Sequence, residues 1–187
     1  MFYHFRADRD GGNNGSGDQP RRPQSEIANL PDPAKIIVCA DRCEIIRAPQ
    51  PVLAIGNDPI AAEDGYDILE IRFSIWNENA QDVPDVAARV EFSAVKVCGL
   101  PNFEFDSLPA MSNLFFGTVA HKTIADPGHI CPNHALQYRF KKGALPGVNC
   151  IRVTGNLFMQ APPEDCKFNE GDAVPLKQFE LHYRVNG

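Results

Sequence analysis

Residues 66–97 read YDILEIRFSIWNENAQDVPDVAARVEFSAVKV, and this stretch decides the fold. From Leu69 the apolar residues Leu69, Ile71, Phe73 and Ile75 alternate with Glu70, Arg72 and Ser74. Successive side chains of a strand point to opposite faces, so the spacing describes a strand with one apolar and one polar face. After a polar segment from Asn77 to Asp82 the alternation resumes with Val86, Ala88, Val90, Phe92 and Ala94, separated by Ala87, Arg89, Glu91 and Ser93. Two half-buried strands joined by a polar loop follow from this. At Ala94 the apolar phase slips to Val95 and Val97, as it does at a β-bulge.

The flanking sequence repeats the pattern. Ile36 to Cys39 and Glu44 to Arg47 are short runs separated by Ala40, Asp41 and Arg42, and read as two strands around a turn. Pro49 and Pro51 end that pairing because proline cannot donate to a ladder. Leu114 to Ile124 predicts a buried strand or pair of strands bent at Gly117. Leu136, Tyr138 and Phe140 alternate with Gln137, Arg139 and Lys141. Ile151 and Val153 alternate with Arg152 and Thr154, and Phe179, Leu181, Tyr183 and Val185 with Gln178, Glu180, His182 and Arg184. No segment carries a sustained helical period. Seven to eight short strands with turn residues between them predict an all-β chain, folded as an antiparallel two-sheet sandwich. The domain spans residues 34–187, preceded by an arm over residues 1–33.

The phrase from Ile71 to Asn79, followed by Asp85 to Phe92, resembles the strand, polar loop, strand pattern of immunoglobulin-like domains of the CARDB and fibronectin type III kind. The resemblance spans about residues 68–92 and implies an immunoglobulin-like sandwich. Those families often place an N-x-G turn where this chain has Asn77, Glu78 and Asn79. Trp76 lacks the cysteine pair that accompanies the core tryptophan of antibody domains. Such folds host many unrelated roles, so the resemblance implies a fold and no activity.

Composition narrows the function. A net charge of −6 argues against nucleic acid, whose recognition needs a basic face. No apolar run approaches the ~18 residues of a membrane helix. The N-terminus has no basic segment followed by an apolar one, so the expectation is synthesis in the cytoplasm without a signal peptide. A place in a virion or an extracellular assembly is compatible with that route. Six cysteines permit fifteen pairings into three disulfides, and without a signal peptide mostly reduced thiols are expected.

Several groups are candidates for a site. Residues 8–23 (DRDGGNNGSGDQPRRP) have a linker composition, and Phe2, Tyr3 and Phe5 form an aromatic tip beyond it. Aromatic rings repay their hydration cost only when covered, so the arm reads as a docking element for other protein subunits, including copies of the same chain. Asn77, Glu78, Asn79 and Asp82 lie on a loop at one end of the sandwich and read as a second interaction surface; together with Asp85 they also read as a cluster of calcium-type oxygens, though without the spacing and glycine of a calcium loop. His129, Cys131 and His134 are the best zinc candidates, with Cys150 or Cys166 as further ligands. Cys39 and Cys43 face each other if the intervening residues turn, and are a candidate disulfide. No G-x-S-x-G elbow, phosphate loop or acid dyad is present, so neither catalysis nor a cofactor is expected.

The expectation is therefore a non-catalytic structural or interaction module, such as an accessory subunit of a virion, phage tail or surface filament. One competing class is a carbohydrate- or ligand-binding sandwich using Trp76, Phe103, Phe105 and Phe115 as stacking surfaces. The other is a small zinc-binding protein.

Overall fold

The structure, a computed structural model, describes residues 30–47, 65–106, 111–128, 131, 135–147 and 149–185. The aromatic tip Phe2, Tyr3 and Phe5 and the candidate ligands His129 and His134 lie outside the described residues.

The two patterned runs form the strands β2 (Tyr66–Asn77) and β3 (Val83–Glu91). The others are β1 (Ile36–Arg47), β4 (Val95–Val97), β5 (Met111–Val119), β6 (Ile124–Ala125), β7 (Leu136–Lys141), β8 (Cys150–Met159) and β9 (Val174–Arg184). They pair antiparallel in two sheets. In the first, β2 is flanked by β1 on one edge and by β6 and β7 on the other; the second runs β5, β3 with β4, β8, β9. The all-β, two-sheet architecture is therefore the predicted one. No α-helix occurs among the described residues, and none is long and apolar enough to cross a membrane.

The inward set of β2, Leu69, Ile71, Phe73 and Ile75, meets Ala88 and Val90 of β3, Leu114 and Phe116 of β5, and Val153 and Leu157 of β8 in one core. Phe73 packs with its ring centroid 5.8 Å from Phe116 and 5.3 Å from Phe179. Gly155 of β8 is paired with Phe179 of β9, and a Cβ there would stand 2.5 Å from the Phe179 ring. The missing side chain makes room for that ring at the centre of the sandwich.

Four details differ from the sequence reading. Ile36 to Arg47 is one strand, not two around a turn: residues 40–42 are absorbed as a register shift against β2 between Ala40 and Arg42. The phase slip at Ala94 is a single 3-10 turn, Phe92–Ala94, which separates β3 from β4. β2 is not half-buried: Ile68, Glu70 and Ser74, on its other face, are no more than 3% exposed. Glu70 is tolerated there because Arg72 Nε donates to it at 2.8 Å and Gln137 Nε2 at 2.9 Å. Finally β9 begins at Val174, ahead of the apolar alternation.

Candidate functional site

The polar loop between β2 and β3 is built inward. Asn77 is fully buried; its amide nitrogen donates to the carbonyls of Gln81 and Val119, each at 2.9 Å. Its side-chain oxygen accepts from the Asn79 backbone N–H at 2.9 Å and the Asn79 amide at 3.0 Å. Asn79, 5% exposed, accepts the backbone N–H of Asp32 at 2.8 Å. Asp82 accepts the backbone N–H of His121 at 2.8 Å, and the His121 ring lies against the Asn79 carbonyl. These bonds tie the β2–β3 loop to the β5–β6 turn and to the entry of β1. Asn77 and Asn79 thus satisfy backbone groups that would otherwise be buried unpaired, and present no outward surface. Of the four candidate interaction residues only Glu78 and Asp82 are exposed.

The cysteines also rearrange the expectations. Cys98 is bonded to Cys150 and Cys131 to Cys166, while Cys39 and Cys43 are free thiols. The predicted Cys39–Cys43 disulfide is absent because both residues lie on one extended strand. Mostly reduced thiols likewise gives way to four bonded cysteines. Cys98 follows β4 and Cys150 opens β8, and these strands are antiparallel neighbours, joined by a 2.7 Å bond from the Cys98 N–H to the Cys150 carbonyl. Cys131 and Cys166 are joined over the outer face of the five-stranded sheet, where Cys131 is buried against Ala87 and Phe115. With its sulfur in a disulfide, Cys131 has no thiolate for zinc, which removes it from the predicted metal set.

The thiols and phenols with displaced proton equilibria are held in their neutral forms. Burial, with Glu44 adding repulsion, pushes the Cys43 thiol up to about 12. Burial and then Asp41 raise Cys39, against a Ser74 hydrogen bond that lowers it. Asp41 sits in the β1 register shift and accepts the Ser74 hydroxyl at 3.0 Å; burial raises its carboxyl, which the Ser74 bond partly offsets. Burial also raises the Tyr183 phenol, whose hydroxyl donates to the Arg72 carbonyl at 2.8 Å. A neutral thiol is a poor nucleophile, so this arrangement offers no activated cysteine.

The outer face of the five-stranded sheet carries a second group of polar side chains. Arg89 pairs with Glu170 at 2.7 Å and lies over the Phe168 ring, which packs edge-on to Phe158 with centroids 4.8 Å apart. Where β3 leaves β8 at the 3-10 turn, an open groove of about 440 Å³ is lined by Arg89, Glu91, Thr154, Asn156, Gln178 and Glu180. Further along, His182 Nε2 lies 2.7 Å from Glu180 Oε1, and ligand-type atoms of His182, Cys98 and Cys150 fall within 4.8 Å of one another. The sequence reading missed this cluster. Alternation does place His182 on the outward face of its strand, but only the pairing of β4, β8 and β9 unites the three residues. Of the predicted stacking aromatics, Phe105 and Phe115 are buried and Trp76 and Phe103 half-buried. Phe103 and Phe105 join Phe92, Tyr138 and Phe140 in one aromatic cluster.

Comparison with protein-family models, curated proteins and solved structures finds no match.

Replacing Asn77 by Ala strands the Gln81 and Val119 carbonyls and the Asn79 N–H, and should lower unfolding free energy by about 3 kcal/mol in urea titration. Glu78→Ala, at an exposed position, should stay within about 0.5 kcal/mol. Alkylation of the denatured, unreduced chain should modify two cysteines, identified by peptide mass spectrometry as Cys39 and Cys43. In the native chain at neutral pH Cys43 should resist labelling, and rapid modification there would contradict its burial.

Proposed function

We propose that this chain is a non-catalytic structural or interaction module of a larger protein assembly, joined to a neighbouring subunit through residues 1–33. The observation that carries the reading is the inward use of polar chemistry. The loop amides of Asn77 and Asn79 fasten the sandwich end, and the buried Cys43 thiol and Tyr183 phenol are held neutral. A scaffold whose polar groups serve its own rigidity is suited to presenting a fixed surface. The finer fold assignment is immunoglobulin-like, supported by a chain that changes sheets after β2, after β5 and after β7, and then closes with the β8–β9 pair. Two disulfides favour use in an oxidising setting, as on a virion or in an extracellular assembly. A second reading, a ligand-binding module, draws on the groove at the β3–β8 break, whose amide, hydroxyl and carboxylate groups suit a polar ligand such as a saccharide.

Removing residues 1–29 leaves Asp32 and its bond to Asn79 in place, so the sandwich should remain folded. In sedimentation velocity at rising concentration the full chain should self-associate and the shortened chain should stay monomeric. Equal sedimentation of the two would overturn the proposal.

A further inference from the structure

We propose that Cys98, Cys150 and His182 form a redox-gated site for a borderline-soft divalent cation of the zinc type, closed while the Cys98–Cys150 disulfide is intact and open once it is reduced. Each residue comes from a different strand region of the five-stranded sheet. Cys98 follows β4, Cys150 opens β8, and His182 lies on β9, two pairs along from Cys150 and so on the same face, in a register that matches Cys150 with Arg184 and Arg152 with His182. The backbone, not the sulfur bond alone, sets this proximity. The β4–β8 ladder runs from Val95–Val153 to Val97–Ile151 and continues in the hydrogen bond from the Cys98 N–H to the Cys150 carbonyl. Reduction therefore leaves two thiols on neighbouring strands with Cα atoms close to their 5.0 Å separation.

The donor geometry suits a tetrahedral ion. Ligand-type atoms of the three residues already lie within 4.8 Å of one another. Zinc–sulfur bonds of about 2.3 Å at tetrahedral angles place two sulfurs about 3.7 Å apart, a separation reached by rotating side chains on a fixed backbone. Glu180 Oε1, 2.7 Å from His182 Nε2, orients the imidazole as a carboxylate partner does in histidine–metal sites. Lys96, Arg152 and Arg184 occupy outward positions on the same three strands and offset the negative charge of two thiolates. Three protein ligands leave a fourth position for water or a partner's side chain.

The chemistry balances with a thiol reductant. Two equivalents of a small-molecule thiol reduce the disulfide to two cysteine thiols and leave as their own disulfide. The divalent ion then displaces both thiol protons, and the imidazole contributes its neutral nitrogen lone pair. A small-molecule disulfide reverses both steps by thiol–disulfide exchange: it accepts the two electrons and leaves as two thiols after proton uptake, the Cys98–Cys150 bond re-forms, and the ion is released.

Cobalt(II) tests the site, because sulfur-to-cobalt charge transfer and the visible bands of tetrahedral cobalt report ligand type and geometry. The phosphine-reduced, metal-free full chain should bind one cobalt per chain with thiolate bands, and the oxidised chain none. His182→Gln, at an exposed position, should weaken cobalt binding at least tenfold in the reduced chain while leaving the oxidised chain's thermal midpoint unchanged. Cys150→Ser should abolish the thiolate bands, and Cys39→Ser with Cys43→Ser should leave them intact. Equal binding by His182→Gln or Cys150→Ser, dependence on Cys39 and Cys43, or loss of the β-strand circular dichroism on reduction with zinc present would each overturn the proposal.

Discussion

Everything in this fold depends on β2 being enclosed on all four sides. Its edges are taken by β1 and by β6 with β7, its inward residues form the centre of the core, and Ile68, Glu70 and Ser74 on its other face are buried as well. A strand so enclosed has one acceptable register, because a one-residue slip would exchange Leu69, Ile71 and Phe73 for Glu70, Arg72 and Ser74 in the core. The Arg72 and Gln137 bonds to Glu70 follow from the same constraint, since a carboxylate at 3% exposure is stable only with charged and amide donors around it.

The second sheet is organised differently. Its central strand β8 is paired on both edges, but the opposite edge is shared by β3 and β4, with the Phe92–Ala94 turn between them. That break leaves the groove beside Gly155 and Thr154. One disulfide joins β4 to β8 where their ladder ends, and the other lies on the outer face against Ala87 and Phe115. A covalent link limits the unfolded states against which the segments it joins must be ordered, and between β8 and β9 it acts beside local hydrogen bonds such as those of Asn169 with Gln160, Gly171 and Asp172. Polar side chains take the same part at the sandwich end, where Asn77 bridges loops separated by 42 residues in sequence.

Much of this was legible in the sequence because strand alternation is a local signal. Leu69 to Ile75 and Phe179 to Val185 announce their inward faces directly, and the phase slip at Ala94 marks the break between β3 and β4. What stayed hidden depends on neighbours far away in the chain. Glu70 and Ser74 look solvated until Gln137 and Asp41 are placed beside them. Asp41 reads as a turn residue because the chain does not advertise that β1 will continue past it along β2. Asn77 and Asn79 have the composition of an exposed loop, and only the β5–β6 turn reveals that their amides are internal fasteners. Cysteine pairing is the extreme case: partners 52 and 35 residues apart become neighbours only through the sheet order and its loops.

Native-state hydrogen exchange monitored residue by residue tests the central role of β2 most directly. The account predicts that amides from Ile68 to Ile75 exchange most slowly, with opening free energies that match global unfolding, while those of the edge strand β5 exchange through smaller openings. Faster exchange in β2 than in β5 would contradict it.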